Sequence, residues 1–173
     1  MSTPHPAMPQ PANADQPAST EASRSAAPRL IVPEGFGPMP SLGPYFQPLE
    51  PVYLRDGEPE QPVFGLHVKP AHENMQGLAH GGMLATLVDS AVGYAIARAR
   101  GVRLSQVTVS MTIDYLSSAR PGEWLEAHVR INRMGRRMAF ADCNLHAGGR
   151  HVVRASAVFA FVDRAEPEGA RSN

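Results

Sequence analysis

The sequence predicts an α+β fold in which one curled antiparallel β-sheet wraps around a single long α-helix. Three observations carry this. The stretch from His80 to Arg98 is apolar on nearly every side for about four helical turns. Everything after Gly101 alternates apolar and polar residues in four runs joined by short turns. Two short extended pieces precede the helix, and no second helix shares its burial, so the sheet must curl around it.

Residues 1 to about 44 hold ten of the 17 prolines with many Ala, Ser and Gln. Such a segment buries too little surface to offset its ordering entropy, and most of it is expected to be disordered. GFGPMPSLGPYF is the exception, able to dock Phe36, Tyr45 or Phe46 onto the domain. The domain is assigned to residues 45–163, with its folded part starting near Pro48 and a loose tail over 164–173. PVYLR (51–55) and PVFGLHVK (62–69) read as short strands around the acidic turn DGEPE.

The helix follows, and its composition is unusual. A helix apolar all round is buried on all sides, so its one interior acid, Asp89, is expected to be a buried carboxylate needing a partner or a task. No Ser, Thr, Asp or Asn lies between Gly77 and Met83. The first-turn N–H groups at Gly81 and Gly82 therefore lack the usual side-chain acceptor. They suit an anion or a polarised carbonyl oxygen. Arg98, Arg100 and Gly101 supply the C-terminal charges and stop.

In SQVTVSMTIDYL, Val107, Val109, Met111, Ile113 and Tyr115 share one face, and Thr108, Ser110, Thr112 and Asp114 the other. WLEAHVRIN turns Leu125, Ala127, Val129 and Ile131 inward. Gly135 turns the chain into RMAFADCNLHA, and Gly148-Gly149 is a strong hairpin signal into HVVRASAVFAFV.

Sixteen basic and sixteen acidic residues cancel, which removes the strong field that nucleic acid or a membrane surface would require. Every basic residue except Lys69 is arginine. The single Cys143 excludes an intrachain disulfide and reads as a small core residue. No secretory pattern opens the chain, and the 81–97 run is short and carries Asp89, so the expectation is cytoplasmic, with no membrane span. His67, His72 and His80 fit no common zinc spacing, so no metal or bound cofactor is expected. No Gly-x-Ser-x-Gly elbow supports a serine triad.

At Asn74 to Asp89 the chain reads NMQGLAHGGMLATLVD. Asn-x-x-Gly-x-x-His-Gly-Gly with an aspartate nine residues after the histidine resembles the PaaI-type hotdog acyl-CoA thioesterases. The likeness extends through VTVSMTIDYLSSARPGEWLEAHVRINRMGRRMAF and covers roughly residues 50–162. It implies the hotdog fold and hydrolysis of an acyl- or aroyl-CoA in a homodimer or homotetramer. By the same resemblance the Gly81 N–H polarises the thioester carbonyl, with Gly82 beside it. Asp89 is then the general base or nucleophile, Asn74 places water or thioester, His80 is structural to the turn, and Thr108 stands where the family often has a Ser or Thr.

Taken on their own chemistry, several of these residues have plainer readings. Asn74 is a turn former, Thr108 a β-branched strand residue, and Asp89 a core acid satisfied by Thr86 or Ser90. Arg130, Arg133, Arg136 and Arg137 are either a solvated strand end or, for Arg133, Arg136 and Arg137, a grip on coenzyme A phosphates. Met75, Met83, Met111 and Met138 read as core filler or as an adaptable apolar tunnel. Helix geometry adds a constraint: Asp89 lies roughly 10 Å along the axis from Gly82, beyond the reach of a carboxylate. Two antiparallel helices in a symmetric dimer would bring each Asp89 to the partner's Gly81, past a face of small residues at Gly82, Ala85, Thr86 and Gly93. Two other classes remain open on the residues: a non-catalytic acyl-CoA binding or sensing module, and a structural oligomerisation domain.

Overall fold

A computed structural model describes residues 30–56, 61–101 and 105–162. Seven strands, β1 (Phe36–Pro38), β2 (Tyr53–Arg55), β3 (Val63–His67), β4 (Ser105–Tyr115), β5 (Trp124–Met134), β6 (Met138–Ala147) and β7 (Arg150–Val162), surround one helix, α1 (Gly81–Arg100). They form a single sheet in the order β1-β2-β3-β5-β6-β7-β4, antiparallel at every pairing. The chain leaves β3, runs through α1, lays β4 at the far edge, and returns to the centre with β5. The hotdog fold follows: a sheet curled around one central helix.

The inner face explains the curl. Ala139, Ala141, Ala155 and Ala157 are buried on β6 and β7, and Ala127 on β5. These short side chains let α1 approach the sheet, while Phe64, Leu66, Leu125, Leu145 and Phe159 fill the flanks. The helix contributes Met83, Leu84, Leu87, Val88, Ala91, Val92, Ala95 and Ile96. Gly148 (φ 52°) and Gly149 (φ 82°) make the two-residue β6–β7 turn, where both positions need positive φ. Cys143 is fully buried in this core, and burial pushes its thiol up to about 12.

Four expectations are corrected. The helix is buried on one side only: Ala85, Thr86, Asp89, Ser90, Gly93 and Ala97 keep partial exposure in the protomer, and Asp89 is half-buried rather than enclosed. Overall apolarity of a helix says how much surface it can bury, not that one chain supplies all the cover. The sheet also begins before Pro48. Phe36 packs edge-on against Trp124 at 5.1 Å, β1 pairs with β2, and Phe46 is buried, whereas Tyr45 is 83% exposed. Trp124 lies across β3 and leaves room only for glycine at Gly65, where a Cβ would come within 2.1 Å of the indole.

On β4 the strict alternation fails. A bulge at Val109 shifts the register between Thr108 and Ser110, so Thr108 pairs with the inward Phe159 and Met111 with the inward Ala157. Thr108 thus faces α1 with Met111, while Val107 stands 49% exposed opposite Ala160. The methionines form no common tunnel in the protomer: Met75 and Met138 are exposed, whereas Met83 is buried and Met111 packs partly against the core.

Candidate active site

The first turn of α1 is built by the loop before it. Asn74 Oδ1 accepts from the N–H groups of Gln76 (2.9 Å) and Leu78 (3.2 Å), folding the loop back. Its NH2 has no acceptor among the described residues. The Ala79 N–H donates to Ala119 O and the His80 N–H to His72 O, which fixes the entry into the helix.

His80 is the N-cap. Its Nδ1 accepts from the Gly82 N–H at 2.9 Å. This corrects the expectation of an uncapped turn with two free amides, because a histidine ring with a neutral acceptor nitrogen can replace a Ser or Asp. Gly82 therefore has its amide occupied. The Gly81 N–H has no acceptor among the described residues and stands at the positive end of a 20-residue helix. On its other side Tyr115 Oη donates to Gly81 O at 2.9 Å, and a Cβ at Gly81 would press on that ring at 3.3 Å.

Two cavities of about 400 Å³ each flank the turn. One is lined by Asn74, Gly81, Leu84, Tyr115, Leu116 and Ser118 among others. The second holds His80 and Gly82 with Tyr45, Leu49, Met83 and Thr86. Asn74 and Gly81 thus line the same space, one with a side-chain amide and one with a backbone amide that have no acceptor among the described residues. Such paired donors suit an oxygen on which negative charge develops.

Asp89 is elsewhere. Thr108 Oγ1 donates to Asp89 Oδ1 at 2.7 Å, so the β4 bulge and the helix together orient this carboxylate on the open stripe of α1. Oδ2 has no partner among the described residues. Eight residues separate Asp89 from Gly81, about 12 Å along the axis, and Asp89 lines neither of these two cavities. Two separate sets of groups result: Asn74 and Gly81 at the head of the helix, and a Thr-oriented carboxylate two turns down.

The arginines lie at the opposite end. Arg100 donates to the carbonyls of Gly135 (3.3 Å) and Arg136 (3.4 Å) and stacks over Phe161 at 3.7 Å, tying the end of α1 to the β5–β6 hairpin. Arg130 pairs with Asp142 at 3.4 Å on the outer face. Arg133, Arg136 and Arg137 are exposed, and their side chains pair with no described residue. None of them is near Gly81 in the protomer.

Sequence reasoning missed one set of residues. Lys69 Nζ donates to the carbonyls of Pro48 (2.9 Å) and Glu50, and His72 Nε2 meets the same Pro48 carbonyl at 2.9 Å. This clip holds the 3₁₀ turn Pro44–Leu49 against the head of α1. The single lysine of the chain was its only signal. His72 Nδ1 accepts from the Lys69 N–H, so the ring is a neutral structural tautomer; burial, more than the nearby Lys69, lowers its pKa. Among the described residues no group of His, Cys, Asp and Glu is arranged to hold a metal ion. No described helix is long and apolar enough to cross a membrane.

The family model described as the Thioesterase superfamily matches residues 76–154. "Putative esterase PA0474" of Pseudomonas aeruginosa is 44% identical over 130 residues, which is 75% of this chain and 97% of that protein. Acyl-coenzyme A thioesterase 13 of Mus musculus is 38% identical over 98 residues, 56% of this chain and 69% of its own length. Among solved structures, a mutant of phenylacetic acid degradation protein PaaI from Thermus thermophilus superposes with a TM-score of 0.63 at 26% identity, covering 69% of this chain and 100% of that one.

Proposed function

Because the chain belongs to the thioesterase superfamily, as a PaaI-type hotdog thioester hydrolase, we propose that it cleaves an acyl- or aroyl-coenzyme A to the free acid and coenzyme A. The observation that carries this reading is the Gly81 N–H, without an acceptor, sharing a cavity with the Asn74 amide. The thioester carbonyl oxygen would sit against these donors. Each such donor is commonly worth about 3 kcal/mol in the transition state, when the oxygen carries charge.

Asp89 acts as the general base. Its Oδ2 takes a proton from water as the water oxygen bonds to the carbonyl carbon. The tetrahedral intermediate then expels coenzyme A as the thiolate, which recovers a proton. Thr108 holds the other carboxylate oxygen, so the base keeps one orientation. Separation along the axis argues against attack within one protomer, and the open stripe at Ala85, Thr86, Asp89 and Gly93 supports antiparallel pairing of two α1 helices. Each Asp89 then serves the partner subunit's half-site. The same pairing carries the end of the partner subunit's α1 about 16 Å beyond Gly81 along the axis. The β5–β6 hairpin tied to that helix end bears Arg133, Arg136 and Arg137, whose forks suit coenzyme A phosphates.

The test is thiol release from a panel of acyl-CoA esters. Asp89→Asn is expected to lower kcat by a factor on the order of a hundred or more while substrate binding persists. Near-wild-type turnover in that variant removes Asp89 from the mechanism. Retention of a CoA ester by the wild type without thiol release would make the chain a binding module instead.

A further inference from the structure

The second cavity beside the helix head has no part in the chemistry above. It lies between the 3₁₀ turn Pro44–Leu49 and the first turn of α1, lined by Tyr45, Pro48, Leu49, Met83, His72 and Glu73 with His80, Gly82 and Thr86 at its edge. Three features make it a built space. Its outer wall is clipped in place, since Lys69 Nζ and His72 Nε2 both meet the Pro48 carbonyl. Phe46 and Leu49 anchor the turn in the core at 3% and 5% exposure. Tyr45, next to the buried Phe46, is instead left 83% exposed and lines the cavity.

Successive residues of the turn point to different sides. Gly81 belongs to the cavity with Asn74, while His80 and Gly82 border the cavity with Tyr45. A thioester whose carbonyl rests at Gly81 therefore has a space on each side for its two arms. The arms differ in chemistry. The pantetheine arm carries amide groups, which are costly to bury without partners, and beyond Asn74 that side offers the polar residues Ser117 and Ser118. The acyl arm needs apolar wall, which the Tyr45, Pro48, Leu49 and Met83 side supplies.

Charge narrows the acyl group further. Among the described lining residues of this cavity the one carboxylate is the exposed Glu73, and His72 is neutral because both its ring nitrogens are committed to backbone groups. Among those residues there is no Lys or Arg to receive an acyl chain ending in a carboxylate, and the Lys69 ammonium behind the wall is already committed to the Pro48 and Glu50 carbonyls. Resting on the hydrolase reading, we infer that this cavity receives the acyl arm of the thioester, that Tyr45 is its specificity-determining wall, and that Glu73 rejects acyl groups carrying a terminal carboxylate.

The experiment compares the full chain with Tyr45→Ala, Tyr45→Phe and Glu73→Gln. The kcat/KM ratio of phenylacetyl-CoA to acetyl-CoA should fall about tenfold in Tyr45→Ala and hold in Tyr45→Phe, since the wall is the ring and not its hydroxyl. Glu73→Gln should raise succinyl-CoA relative to butyryl-CoA by a similar factor. Affinities for S-phenethyl-CoA and S-ethyl-CoA, thioethers that cannot be cleaved, should show the same Tyr45 dependence. This arm reads the cavity even if no ester is turned over, and so separates its failure from that of the hydrolase reading. Equal changes on large and small acyl groups, or none, in both turnover and affinity would overturn the assignment.

Discussion

At the scale of single residues, one histidine has a ring nitrogen left alone in an unusual place. His146 lies on the outer face of β6, stacked on His151 at 4.7 Å and edge-on to His128 at 5.3 Å, with Glu126 nearby on β5. Its Nδ1 is buried without a partner among the described residues. Burial lowers its pKa from the ordinary 6.5, and protonation of His128 and His151 would lower it further, against a smaller opposing pull from Glu126. His72 is lowered as well, chiefly by burial. A histidine held below its unfolded pKa favours the neutral form in the fold. Its stabilising contribution is therefore complete above the ordinary 6.5 and is lost as pH falls through the lowered folded values. The melting temperature should decline as pH falls below the ordinary 6.5, and His146→Gln should flatten that decline. An unchanged pH slope in the variant would place the sensitivity elsewhere.

The elements show what the sequence could and could not disclose. The inner faces of β5, β6 and β7, the glycine turn at 148–149 and the helix stop at Gly101 (φ 68°) were all legible, because burial period and positive φ leave direct marks on residue choice. The bulge at Val109 was not. Val-Thr-Val-Ser-Met alternates without a break, and only pairing with β7 reveals that one valine is extra. That single insertion turns Thr108 toward Asp89, so the strand's most consequential feature left no compositional trace. The cap on α1 was missed for a similar reason: a search for hydroxyl, amide and carboxylate caps passes over His80. His80→Ala should cost about 1 kcal/mol of stability by freeing the Gly82 amide, measured by denaturant unfolding. His80→Asn, which restores an acceptor, should recover much of it. The clip from Lys69 to the Pro48 carbonyl spans 21 residues, and no local pattern signals such a contact.

For the molecule as a whole, the proposed mechanism makes a demand that a single chain does not meet. Asn74 and Gly81 are at one end of the open stripe, and Asp89 with Thr108 is two turns away. If the partner subunit closes each site, a mixture of two inactive variants should regain activity. Asn74→Ala damages the amide pair and Asp89→Asn the base, and both lesions fall into one of the two sites of a mixed dimer. The other site is then intact. Random exchange of subunits should restore about a quarter of wild-type turnover, since half the dimers are mixed and each has one working site. Recovery that stays at the level of the separate variants would argue for sites completed within one chain. Charge balance fits this assembly too, since a chain with net charge +0 meets its own copy without a repulsive field.

The buried thiol of Cys143 also bears on how these experiments are read. Sulfhydryl dyes react with thiolate, and a group whose pKa stands at about 12 inside a closed core contributes almost none at neutral pH. Colour in a disulfide-dye assay would then come from liberated coenzyme A alone while the fold holds. Under denaturant without substrate, the same dye would count the chains that have opened, one sulfur apiece.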